Sequence, residues 1–281
     1  MTTLVHPNAV FQRAGLATPG GSAAGDGTRM LWRLALALAL MALPTAIALA
    51  IDDRMLGQLS VWTKPLKFQL ALAFQTATLA WALDRLSDPS RRAAMPRALA
   101  LLWTAVAVYE AAYITLQGAR GTLSHFNRAT GWESVAGTLM AAGAGLLVTV
   151  TAWIGAVALW QAWRERQASA RTHTSLMPLA IGLGFVLGAV LAAWTGSAMG
   201  AIRGYWPQPL VEPVLRMPVS GWVLSQPDWR IAHFIGLHQM QLLPALAALG
   251  AWAGWPLRLT LATLAATSVA AVWAVAMLIQ P

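Results

Sequence analysis

Long stretches without charged side chains recur along the chain, separated by short charged or proline-rich segments. A helix needs about 20 mostly apolar residues to cross the roughly 30 Å hydrocarbon core of a bilayer. Seven stretches approach this length, and the pattern therefore predicts an all-α integral membrane protein with a bundle of about seven transmembrane helices. The predicted spans are 30–51, 65–84, 98–117, 134–163, 177–201, 231–252 and 257–279.

The first part of the chain lacks any apolar period. Residues 1–28 mix Gly, Ala, Thr and Pro with single charges, a composition typical of disordered segments. We therefore predict a disordered cytoplasmic tail at 1–28 and a seven-helix transmembrane domain at 29–281. An alternative is a cleaved signal peptide ending at the small-residue site Ala48-Leu49-Ala50, which would leave six spans.

Composition agrees with a membrane location. Of the 281 residues, 58% are hydrophobic and only 10% are charged, and the mean hydropathy is +0.58; these values exclude an ordinary soluble domain and a disordered chain. The net charge of +9 is assigned to cytoplasmic loops, so no nucleic-acid partner is expected. Because the chain has no Cys, disulfides, thiolate ligands and covalently attached c-type haem are excluded.

The placement of basic residues predicts the orientation. With a cytoplasmic N-terminus, most Arg outside the apolar stretches fall on the inner side, as the positive-inside rule requires. We therefore expect a multi-pass protein of a bacterial-type inner membrane. The segment 202–229 is rich in Pro and Trp, and predicts an extracytoplasmic loop lying as an amphipathic cap on the membrane surface.

A spacing match links the second and sixth predicted spans. Basic, basic-or-His, Phe and Gln side chains occur at identical intervals in the two, namely Lys64, Lys67, Phe68 and Gln75 against Arg230, His233, Phe234 and Gln241. A parallel repeat in a 3+1+3 arrangement, as in some small transporters, would explain the match. Four positions in an apolar sequence also coincide easily by chance.

Ionisable groups inside apolar spans are costly and therefore mark candidate sites. Glu110 lies in the third span, about 18 Å above its inner end, and His238 lies about 10 Å below the outer end of the sixth. Measured from the same surface of a hydrocarbon core about 30 Å thick, the depths of Glu110 and His238 therefore agree within about one helical turn. We predict that Glu110 and His238 face each other as catalytic or proton-handling groups in an outward-opening pocket, with Lys67 at its mouth. The alternative for Glu110 is a polar contact that only joins two helices.

Further candidate ligands surround this pocket. His233 precedes His238 by five residues, which is about 140° on a regular helix and unfavourable for shared metal binding. The loop between the third and fourth spans adds Arg120, His125 and Asn127. In the same loop Thr130 and Glu133 have the spacing of a capping box, which removes Glu133 from the candidate acids.

Three functional hypotheses follow. The leading one is a haem- or metal-dependent membrane redox protein or enzyme, with haem b or a divalent metal as cofactor and His125, His233 and His238 as metal ligands. In this hypothesis the cofactor or an anionic edge such as the haem propionates is also bound by a set of polar side chains, Lys67, Arg120, Asn127, Arg230 and Gln241.

The second hypothesis is a proton-coupled transporter or ligand-binding protein for a small anionic solute or lipid. The third is a structural or assembly subunit, in which the polar groups only join helices. No G-x-S-x-G, HExxH, phosphate-loop or dinucleotide motif is present in the sequence, so catalysis of the kinds found in soluble enzymes has no support.

Overall fold

The computed structural model describes residues 25–167, 176–218 and 220–280, so most of the predicted tail lies outside the described residues. Within them the chain forms nine helices and one two-stranded hairpin. The helices are Asp26–Ile51 (α1), Thr63–Asp84 (α2), Asp88–Ala94 (α3), Arg97–Ala119 (α4), Gly131–Gln167 (α5), Leu176–Ile202 (α6), Trp229–Leu237 (α7), Gln239–Trp252 (α8) and Leu257–Leu278 (α9). The strands are Met55–Leu56 (β1) and Leu59–Ser60 (β2), paired antiparallel. The first helix begins at Asp26, inside the stretch assigned to the tail.

Five helices, α1, α4, α5, α6 and α9, are long and apolar enough to cross a membrane. The pair α7 and α8 would be a sixth span, bent by 43° at the break between them. The chain is therefore an all-helical, multi-pass membrane protein, and the predicted count of seven spans is not confirmed. The helix α2 covers the second predicted span, but Lys64, Lys67, Gln69, Gln75 and Asp84 reduce its hydropathy.

The segments 52–62, 120–130 and 203–228 meet at one end of the bundle, which we call the hairpin end. The Arg54 guanidinium donates to the Ala119 carbonyl at 2.9 Å, and the Phe126 and Tyr205 rings are in edge contact at 5.7 Å. The Pro- and Trp-rich segment therefore folds onto the other loops. The Arg230 guanidinium lies over two of its aromatic rings, Tyr205 and Trp206, and the position of the segment on the membrane surface stays a prediction.

The helices pack in two groups on either side of α5. The first group is α1, α2 and α4, and the second is α6, α7, α8 and α9. The long helix α5 packs against α4 and α6 and so joins the groups. The main buried cluster runs through both, with Trp103 of α4, Ile154 of α5 and Phe185 of α6 fully enclosed. This framework fixes the positions of the polar side chains beneath the hairpin end.

Candidate functional site

Glu110 is buried in the contact between α4 and α5, with only 5% of the residue exposed. A β-carbon on Gly143 of α5 would lie 2.9 Å from its Oε1 atom, so the glycine makes the space that the carboxyl group occupies. Among the described residues Oε1 has no hydrogen-bond partner. Unpartnered buried amide oxygens also occur at Gln69, Gln239 and Gln241, so what distinguishes Glu110 is that its carboxyl group can ionise or carry a proton.

Lys64, one residue after the start of α2, is the basic group that interacts electrostatically with Glu110. In the described part of the chain the two side chains form no direct ion pair. The Lys64 ammonium lies 5.7 Å from the centre of the Phe68 ring, and His125 packs on the same ring at 5.3 Å. Sequence reasoning placed Lys64 only in the spacing match. The one available signal was its position at the start of a helix that also contains Lys67.

His238 occupies the break between α7 and α8 and does not hydrogen-bond to Glu110 in the described residues. Its ring lies between Phe234 and Phe74, at centroid distances of 3.8 and 6.5 Å. Its Nδ1 is 2.8 Å from the Phe234 carbonyl. A carbonyl can only accept, so Nδ1 is the donor in this hydrogen bond. His238 thus contacts Phe234 and Phe74, and the expectation that His238 faces Glu110 stays a prediction.

The three histidines predicted to share a metal ion have separate partners. His233 is bonded through Nδ1 to the Thr195 hydroxyl of α6 at 2.8 Å, whereas His125 contacts Phe68 and Ser124. Within 25–167, 176–218 and 220–280, no group of three or more His, Cys, Asp or Glu side chains could hold a metal ion. The structure therefore does not assemble the predicted metal ligands.

The arginines predicted to bind an anionic edge are occupied by internal partners. Arg120 donates to Gln117 at 2.8 Å and to Glu133 at 3.1 Å, and its guanidinium lies over Trp132. Arg230 forms an ion pair with Asp228, whose side chain is fully buried. These arginines stabilise the hairpin end and are not free to bind a cofactor.

The remaining predicted ligands also make internal hydrogen bonds. Lys67 donates to the Ser220 carbonyl at 2.8 Å, and Gln241 donates to the Thr78 hydroxyl at 3.1 Å. Asn127 shapes its own loop by donating to the Leu123 carbonyl at 3.0 Å. Of this set, Lys67 and Gln241 connect elements that are far apart in the sequence, and both contacts join α2 to the region of α7 and α8.

His125 provides a pH-dependent test of this end of the bundle. Burial of the ring, with a smaller effect of the Lys64 ammonium, lowers the pKa of His125 from 6.5 to about 3. The unfolded chain therefore binds the proton more readily, so the native state loses stability as the pH falls from about 6.5 towards 3. We expect the His125→Phe variant, which keeps the ring contact with Phe68, to have a flatter dependence in thermal unfolding in detergent. An unchanged slope would contradict a buried neutral His125.

The structure thus brings together Glu110, Lys64, Phe68 and His125 beneath the hairpin end. Gly143, which sequence analysis overlooked, makes room for the carboxyl group. Lys64 lies 46 positions before Glu110 on another helix, so only the packing of α2, α4 and α5 reveals their proximity. Comparisons of the chain with protein-family models, with curated proteins and with solved structures gave no match.

Proposed function

We propose that this protein is a membrane transporter that moves an anionic solute together with a proton. Glu110 would carry the proton and Lys64 would bind the anion. The observation that carries the proposal is the buried carboxyl group of Glu110, which has an unpartnered oxygen and lies near a basic group without bonding to it. Ionisable side chains in this situation within a membrane are costly and usually functional.

The coupling follows from the charges of the two groups. When Glu110 is ionised, its negative charge balances Lys64 and repels an incoming anion. When Glu110 is protonated, the Lys64 ammonium lacks a counter-charge and favours an anion. Anion and proton therefore bind together and leave together, which is the requirement for coupled transport.

The alternative hypothesis of a haem- or metal-dependent redox protein has less support. It needs Arg120 and Arg230 to contact the cofactor, but both are engaged with buried carboxylates. It also needs His125, His233 and His238 together, and these side chains have separate partners. The structural-subunit hypothesis predicts that Glu110→Gln, which keeps the shape of the side chain, leaves function unchanged.

We further propose that the hairpin end faces outward from a bacterial-type inner membrane. Among the described residues the opposite end carries nine basic side chains and the hairpin end eight, and the positive-inside rule places the more basic end in the cytoplasm. The nine are Arg29, Arg33, Arg85, Arg91, Arg92, Arg97, Arg164, Arg166 and Arg258. The grouping of helices on either side of α5 favours the 3+1+3 repeat, with one group moving against the other.

Proton movement in proteoliposomes tests the proposal. Vesicles containing a pH-sensitive dye receive inward gradients of inorganic phosphate, sulfate, succinate or octanesulfonate. We expect the wild-type protein to acidify the lumen with at least one of these anions and Glu110→Gln to do so no faster than empty vesicles. The control is Glu212→Gln, since Glu212 is exposed in the segment 203–228. Normal acidification by a well-folded Glu110→Gln variant would reject the role of Glu110.

A further inference from the structure

A gap separates α2 from the pair of helices α7 and α8. Individual side chains cross this gap, but the helices themselves do not pack closely across it. In the described residues α2 is not among the helices that pack closely against α7 or α8. Lys67 reaches Ser220 at the hairpin end, Phe74 meets His238 further along, and Gln241 bonds to Thr78 beyond it. From Lys67 to Thr78 the helix rises about 16 Å. We call this gap the α2–α7 slot.

Both walls of the slot expose large apolar side chains. Phe74 of α2 is 54% exposed and Phe234 of α7 is 44% exposed, although both stack on His238. Leu70 and Leu242 are also exposed on the same two walls. The slot is therefore open towards the hydrocarbon side of the bundle. The His238 ring lies between the two phenylalanines and is the polar side chain on this part of the slot.

The end of the slot nearest the loops has an excess of positive charge. Lys67 and Arg230 donate to the neighbouring carbonyls of Ser220 and Gly221, at 2.8 and 3.2 Å, and Lys64 precedes Lys67 by three residues on α2. Arg230 is balanced by Asp228, whereas the only hydrogen bond of the Lys67 ammonium in the described residues is to a neutral carbonyl. In the part of the chain that the structure describes, Lys67 therefore lacks a counter-charge in either state of Glu110, and Lys64 lacks one as well whenever Glu110 is protonated. A single anionic headgroup complements this arrangement.

We propose that the α2–α7 slot binds an amphiphilic anion taken from the lipid phase. Its headgroup lies at Lys64 and Lys67, and its hydrocarbon chain lies along Phe74 and Phe234. This inference rests on the proposed function and names the class of its substrate. A small, fully water-soluble anion is the competing occupant. Such an anion would use the basic end and gain nothing from the exposed phenylalanines.

Alkanesulfonates of increasing length separate the two occupants, because their headgroup stays anionic at every relevant pH. Binding of ethane-, butane-, hexane- and octanesulfonate to the full-length protein in lipid nanodiscs is measured by calorimetry. We expect the affinity to rise about fourfold for each added methylene group. Partition into the lipid is measured with empty nanodiscs and subtracted. Equal affinities for ethanesulfonate and octanesulfonate would contradict the proposal that the slot binds an amphiphilic anion.

Two variants test where the hydrocarbon chain of the ligand binds. Phe74→Ala should weaken octanesulfonate binding at least about tenfold and leave ethanesulfonate unchanged, since only the longer ligand reaches Phe74. Trp273→Ala is the matched control, because Trp273 is an exposed aromatic residue on α9. Equal effects of the two variants on octanesulfonate would contradict binding in the slot.

The binding measurements and the proton-movement measurements test the two proposals separately. If octanesulfonate binds with the expected dependence on chain length but Glu110→Gln does not change proton movement, the substrate class stands and the proposed coupling is wrong. A different result would be that Glu110 is required for proton movement with both sulfonates while the two sulfonates bind equally well. In that case the proposal of proton-coupled transport stands and the proposal of an amphiphilic substrate is wrong.

Discussion

Asp228→Ala will lower the free energy of unfolding by about 3–5 kcal/mol, the range for removing one partner of a buried ion pair. The Asp228 side chain is fully buried at the start of α7. It accepts hydrogen bonds from the backbone of Val223 at 2.9 Å and from the Arg230 side chain at 2.8 Å. Without this carboxylate, the Arg230 guanidinium would keep its charge beside Lys64 and Lys67 with no compensation.

Asp26 provides a control for this prediction. It forms an ion pair with Arg29, three residues further along the chain, but its side chain is 67% exposed and that of Arg29 is 48% exposed. Water screens such a pair, so Asp26→Ala should cost clearly less. Chemical unfolding followed by tryptophan fluorescence in detergent measures both variants. Equal losses for the two would show that burial of the Asp228 pair does not determine its contribution.

Gly143→Ala will destabilise the bundle by about 1–3 kcal/mol, the usual cost of overpacking, and will slow proton movement. The new β-carbon would lie 2.9 Å from Glu110 Oε1 and 3.0 Å from Val106 Cγ1. The carboxyl group must therefore shift from its place opposite α5. The control is Gly145→Ala on the same helix, because a β-carbon at Gly145 meets nothing within 4 Å. That substitution should be neutral or stabilise the helix by up to about 1 kcal/mol.

A double-mutant cycle identifies the clash. In the Glu110→Ala background the carboxyl group is gone, and Gly143→Ala should cost less by about 0.5–3 kcal/mol, the range for residues in contact. Thermal unfolding in detergent measures all four proteins. An unchanged penalty would assign the clash to Val106 alone and would remove Gly143 from the account of the site.

The apolar runs predicted the helices well, because burial in lipid requires continuous apolar sequence. The fourth predicted span, 134–163, lies inside α5, and the fifth, 177–201, lies inside α6. The break at His238 was not predicted, although Gly236 lies two residues before it and His238, Gln239 and Gln241 interrupt the apolar pattern. Gly184 and Gly188 of α6 lie against the backbone at the break, and this close approach is not visible in a single sequence.

The candidate site was predicted in part. Glu110 stood out because a carboxylate in an apolar run is rare. Asp228, the partner of Arg230, lies only two residues away from it and could have been found from local sequence. Lys64 and Gly143 could not, because their relation to Glu110 depends on how three helices pack.

The helices α1 and α2 are pinned together at both ends, which bears on how the protein enters the membrane during synthesis. The Trp62 indole donates to Asp52 at 2.7 Å at the hairpin end, and the Trp32 indole donates to Asp84 at 3.0 Å at the other end. Alone, α2 would have to carry two lysines into hydrocarbon, where insertion of each costs up to about 3 kcal/mol. Paired with the apolar α1, it can leave the translocon as half of a helical hairpin. The polar helix on which the site depends would thus reach the bilayer through its neighbour.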